Sequence, residues 1–190
     1  MKTMILLVLL ISSAFVHRLS AQTSKPLRFL LEGALELGGD EVATVQFTNG
    51  QSQRVNAGQG ISIGAGGEFA VPGLESLRLR SSVGIKYVTS AADNVHIRLT
   101  RIPIRVSGNY VFNETWRTGV GMAFHQNIRF NSGGLGGNFS LGNASGPFFE
   151  FAYKSIGLSY TIMSYQDEMA NVYAANAIGL IISGSFPRRR

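Results

Sequence analysis

Across 190 residues the chain carries no cysteine, 23 glycines and a formal charge of +6. Without cysteine there are no disulfides, no thiolate metal ligands and no residue to carry a lipoprotein anchor. The basic residues are scattered singly along the chain instead of forming a patch, which argues against a nucleic-acid partner.

Met1 and Lys2 give a short positive start, an apolar run follows from Met4 through Ile11, and small residues lead to Ser20 and Ala21. That order is the pattern of a secretory signal peptide, and the run is shorter than the roughly 20 apolar residues a spanning helix needs. Residues 1–21 are therefore expected to be removed, leaving residues 22–190 as one domain.

Beyond the signal, apolar residues recur every second position, as on one face of a strand. The first run sets Leu27, Phe29, Leu31, Leu35 and Leu37 against Arg28, Glu32 and Glu36. A long polar connection over 39–60 precedes the second, with Ile61, Ile63, Phe69 and Val71 opposite Ser62, Gly64 and Glu68. Pro72 and Gly73 mark a tight turn into the third, where Leu77, Leu79, Val83, Ile85 and Tyr87 oppose Arg78, Arg80 and Lys86. The fourth sets Ile102, Ile104, Val106 and Tyr110 against Arg101, Pro103 and Arg105. Upstream of it, Val95, Ile97 and Leu99 fall on the other parity, so a bulge near Thr100 is expected to re-phase the strand. After the tight connection 113–115, Trp116, Val120, Met122 and Phe124 oppose Arg117 and His125. A glycine- and asparagine-rich loop over 127–146 leads to Phe149, Phe151 and Tyr153 opposite Glu150. Lys154 and Ser155 form a two-residue hairpin turn. Ile156, Leu158, Tyr160 and Ile162 follow, then a connection near 166–174, then Ile178, Leu180, Ile182 and Phe186.

Eight runs result, joined by connections that are alternately long and short. Short turns at one end and long loops at the other are the habit of outer-membrane barrels. The expected fold is all-β, an eight-stranded antiparallel up-and-down transmembrane β-barrel in the cell outer membrane. The bulky face should meet lipid, with Phe112, Trp116, Tyr153 and Phe186 at the turn-side interface. The other face, carrying Arg28, Glu32, Glu36, Glu68, Arg78, Arg80, Lys86, Arg101, Arg105, Arg117, Glu150 and Lys154, should fill a narrow lumen with a structural charge network.

Three stretches, 101–106, 157–161 and 177–186, resemble the outer-membrane protein β-barrel domain family of small Gram-negative envelope proteins, over roughly residues 27–186. The resemblance implies that a final-strand aromatic, here Phe186, is read by the outer-membrane assembly machinery, although Pro187 and three arginines follow it. Some barrels of lipid A deacylase type carry a serine two positions after a histidine, whereas His125 is followed by Gln126 and Asn127. Ser132 and Ser164 have no spacing that makes them nucleophiles. His96 and His125 stand alone, so no catalytic residue, metal ligand or cofactor site is read. The glycine clusters at 64–67 and 133–137 lack the Lys-Ser/Thr sequel of a phosphate loop. The expected role is structural or interaction, carried by the outer loops at 39–60 and 127–146. Lipid and lipopolysaccharide are the expected contacts, and the chain is expected to be a monomer. The alternative is a narrow pore or small-solute carrier.

Overall fold

The computed structural model describes residues 26–46, 52–92, 95–134 and 137–187; the expected signal peptide lies outside them. In chain order the strands are β1 (Leu27–Leu37), β2 (Glu41–Gln46), β3 (Ser52–Asn56), β4 (Gly60–Ala70), β5 (Leu77–Ala92), β6 (Val95–Phe112), β7 (Trp116–Asn131), β8 (Phe139–Leu141), β9 (Ala144–Tyr153), β10 (Ile156–Thr161), β11 (Ser164–Gln166), β12 (Val172–Ala174) and β13 (Ala177–Phe186). Eight of them form the wall in the order β1, β4, β5, β6, β7, β9, β10, β13, each antiparallel to the next. The ring closes where β13 pairs with β1, from Phe29 opposite Phe186 to Leu37 opposite Ile178. Closure matters physically, because a barrel leaves no row of unpaired backbone donors and acceptors along an edge.

The short connections 71–76, 113–115 and 154–155 lie at one end, together with the start of β1 and the end of β13. The long connections lie at the other, outer end, and their described residues form further strands. β2 and β3 form a hairpin, β8 pairs with the outer part of β7, and β11 pairs with β12. β5, β6 and β7 are 16, 18 and 16 residues long. A tilted spanning strand needs only about 9–11. Their surplus projects outward as a sheet, roughly 20 Å along the strands for six residues.

A bulge does fall near Thr100, but it does not re-phase β6. The register of β6 against β5 runs without offset from Leu77–Tyr110 to Ala92–Val95, so β6 is not re-phased. The slip lies in the β6–β7 pairing between Thr100 and Ile102, and the extra residue is on β7, where Asn127 has φ 54°. Ile97 and Leu99 therefore share the inner face with Arg101 and Arg105, and both are buried. Sequence parity suggested a flip because the interior itself changes from charged to apolar at this level.

Closure also depends on residues without side chains at close strand crossings. A Cβ on Gly66 would strike the Ser81 carbonyl oxygen and stand 2.7 Å from Ser82 Cα, both backbone atoms of the adjacent strand. Gly66→Ala is thus expected to push β4 from β5 and cost about 1–3 kcal/mol, read as a lower urea midpoint for loss of the folded gel band in unboiled samples.

Candidate functional site in the lumen and outer platform

The interior has two zones. In the turn-side half the buried side chains are mostly charged. Glu68 lies between Arg28 (3.5 Å) and Arg80 (3.6 Å), while Glu150 takes Arg80 at 3.3 Å and Arg117 in a direct ion pair. Ser185 and Ser183 extend the layer, the first accepting from Arg28 at 3.5 Å and donating to Glu68 at 3.2 Å, the second accepting from Arg117 at 3.2 Å. Arg78 bends to the carbonyls of Glu75 and Leu77. One layer outward, Arg105 spans Glu32 (3.4 Å) and Glu36 (3.2 Å), Lys86 sits 3.0 Å from Glu36, and Ser82 donates to Glu32 at 2.6 Å. These partners are drawn from β1, β4, β5, β6, β7, β9 and β13, so the pairing ties opposite walls together.

Lys154 departs from the expected set. It is exposed in the β9–β10 turn with φ 54°, its ammonium 5.1 Å from the Tyr153 ring, so it sits at the mouth of the turn-side cavity and outside the ion-pair network. The sequence reading missed both serines, Tyr165 and the loop carbonyls described next. None of these carries a charge or a motif that would single it out.

The outer half of the interior is apolar: Val88, Ile97, Leu99, Ile128, Phe130, Leu141 and Tyr165 pack with Val55 and Ala57 of the first loop. That loop re-enters the mouth. Lys86 donates to the Gly58 carbonyl at 2.7 Å and Arg101 donates to that of Gln59. Gly58 is wedged so tightly that an added Cβ would meet the carbonyl oxygens of Gly38 at 2.8 Å and Ala175 at 3.0 Å. The other loops lock onto the same cap: Asp40 N donates to Ala174 O and Gly142 N to Gln166 O, both at 2.7 Å. His125 faces this interior, its Nδ1 2.6 Å from Tyr165 Oη, and Ser132 is bonded to Asn138. Among the described residues no cluster of three metal-ligating side chains occurs.

At the turn side the lumen opens into a cavity of about 970 Å³ whose walls include Arg28, Arg80, Arg117 and Ser183. Beyond it the free space shrinks to about 10 Å³ between Glu32, Arg80, Arg105 and Phe148. That is at the lower limit for a single water.

The exterior reverses the usual order of a soluble protein. Ile63 is 71% exposed, Ile85 62% and Leu158 60%, and these belong to a continuous apolar band around the ring. Below it, at the turn side, Tyr110, Phe112, Trp116, Phe151 and Tyr153 stack across three strands, with Trp116 4.8 Å from Tyr153 and 5.1 Å from Phe151. Aromatic rings with a polar edge favour the headgroup level of a bilayer. An apolar outer wall around a charged interior is stable only in lipid. The chain is a transmembrane β-barrel. Its closed antiparallel wall, short turns and long outer connections are those of an outer-membrane protein.

No protein-family model and no curated protein matches the sequence. Among solved structures, the barrel is similar to Neisserial surface protein A at 10% identity, over 85% of this chain and 99% of that one, with a TM-score of 0.42. Ail, the attachment invasion locus protein of Yersinia pestis, is 8% identical over 83% of this chain and 97% of its own, with a TM-score of 0.42. Ail in complex with the heparin analogue sucrose octasulfate is 11% identical over the same shares, with a TM-score of 0.41.

The β11–β12 hairpin shows how the outer loops hold their shape. Asp167 accepts from the amides of Met169 (2.9 Å) and Asn171 (2.8 Å) and from the Asn171 side chain (2.8 Å). The Asn171 side-chain bond, foremost, holds the Asp167 carboxyl below its ordinary value. A depressed carboxylate stabilises the turn above its unfolded pKa and loses that effect as pH falls through the folded one. Acidification below about pH 4, the ordinary aspartate range, is expected to release the Met169 and Asn171 amides. Their hydrogen-exchange protection factors, corrected for the intrinsic pH dependence of exchange, should fall there, whereas those of the barrel amides should not change.

Proposed function

We propose that this barrel is a closed interaction scaffold: the lumen is a structural charge network, and the projecting outer sheet meets anionic glycolipid at the cell surface. The observation that carries the reading is the outer face of β5–β8 above the apolar band. Arg98 and Arg129 lie there on neighbouring strands among Thr89, Thr100, Asn131 and Ser140, with no carboxylate on that face among the described residues. Guanidiniums favour bidentate bonds to phosphate, the chief charge of lipopolysaccharide. Sealing of the outer mouth by the apolar cap favours a scaffold over a solute path. Among the described residues, no constellation of nucleophile, base and orienting group accompanies His125. The same reading takes Phe186 as the aromatic recognised by the assembly machinery, and the barrel as a monomer.

Two measurements test it. Purified protein in planar bilayers should give no stepwise conductance; steady channels would replace the scaffold by the narrow pore. Arg98→Glu/Arg129→Glu should bind lipopolysaccharide vesicles at least tenfold more weakly than the unaltered chain, and equal binding would remove the glycolipid assignment.

A further inference from the structure

We infer that the cavity at the turn side is a binding site for a multivalent oxyanion, a phosphate- or sulfate-like group, entering from the periplasmic side. The cavity is large, about 970 Å³, and dead-ended, since the space beyond it is about 10 Å³. Its floor holds more positive charge than its partners neutralise. Among the described residues, Arg28, Arg80 and Arg117 form ion pairs with only two carboxylates, Glu68 and Glu150, with Glu32 a further acidic neighbour of Arg80. Glu75 and Glu114 also line the cavity but stand on exposed turns at its rim.

Charge removed from water needs a partner, and an under-neutralised guanidinium cluster is stabilised by any anion that reaches it. Unused donor capacity lies in the same walls. Arg80 is only 5% exposed, and its Nε has no hydrogen-bond partner, the nearest carboxylate oxygen being that of Glu68 at 3.6 Å. Arg117 Nε is likewise buried and without a hydrogen-bond partner. Ser183 and Ser185 bring hydroxyls to the same wall. Guanidinium forks with hydroxyls beside them match the oxygens of a tetrahedral oxyanion better than those of a monovalent halide. The solute would be held and not passed on, because the layer of Glu32, Arg105 and Glu36 closes the way outward. The inference is independent of what the outer face binds.

The test uses the full-length barrel folded in nonionic detergent micelles, titrated with inorganic pyrophosphate at constant ionic strength and followed by calorimetry and amide NMR. Saturable binding is expected, with shifts confined to Arg28, Arg80, Arg117, Ser183 and Ser185. Arg28→Gln and Arg117→Gln should each weaken it at least tenfold, while Arg54→Gln on the outer hairpin should leave it unchanged. Among the described residues Arg28 makes a single ion pair, to Glu68 at 3.5 Å, so Arg28→Gln carries the test if Arg117→Gln fails to fold by heat-shifted migration. Competition by short-chain phosphatidylglycerol would assign the natural source to a lipid headgroup, and its absence to a free solute. Lack of saturation, or an affinity in both arginine variants unchanged from that of the unaltered chain, would overturn the site.

Discussion

Glu36→Ala is expected to lower the stability of the barrel by about 3–5 kcal/mol, the largest loss of any single side chain in the lumen. Glu36 is 3% exposed and joins Lys86 at 3.0 Å to Arg105 at 3.2 Å. Without it, those two cations and the neighbouring Arg101 remain buried with only Glu32 to answer them. Removing one member of a buried ion pair costs more than the pair contributes, because the stranded charge keeps its desolvation penalty. Lys86 also holds the Gly58 carbonyl, so the loss should spread to the cap. Urea unfolding in lipid vesicles, read by the heat-shifted gel band, measures it. The double variant Glu36→Met/Lys86→Met should recover part of the loss, since it removes both charges and keeps the volume. If the single variant unfolds with the unaltered midpoint, the lumenal network is not what holds the walls together.

Val83→Arg is expected to cost about 2–4 kcal/mol in a bilayer. Val83 is 54% exposed on β5, opposite Ala65 and Ile104, midway between Leu79 and Tyr87 in the apolar band. An arginine there must desolvate its guanidinium or thin the membrane around it. Thr89→Arg, on the same face of the same strand but above the band, should be near neutral. Depth dependence is the signature sought: a soluble barrel would accept arginine equally at both positions, and equal midpoints in vesicles would refute the lipid-facing wall.

Both predictions draw on features that differ in how far they were legible. A strand repeats every two residues, so once the barrel is granted, Glu36 and Val83 are assigned to opposite faces by their position alone. Loop parity likewise needs only the chain order. The partners of Glu36 were not legible, since Lys86 and Arg105 come from β5 and β6, two and three strands along the wall from β1, and meet it only inside the lumen. Nor was the surplus of guanidiniums beside the turn-side cavity, which depends on which carboxylates each arginine reaches.

The eight staves, their lipid and lumen faces and the sorting of short turns from long connections follow from local periodicity and turn chemistry, and could be read from residue order alone. Long-range packing sets the rest: Ile97 and Leu99 face inward, the first loop folds back over the mouth, Lys154 stays out of the ion-pair network, and the slip sits at Asn127. Each of those depends on what lies across the barrel. An apolar residue reads as lipid-facing in a local pattern until a loop arrives over the lumen to give it a dry interior, and that arrival is a long-range contact no period of two can encode.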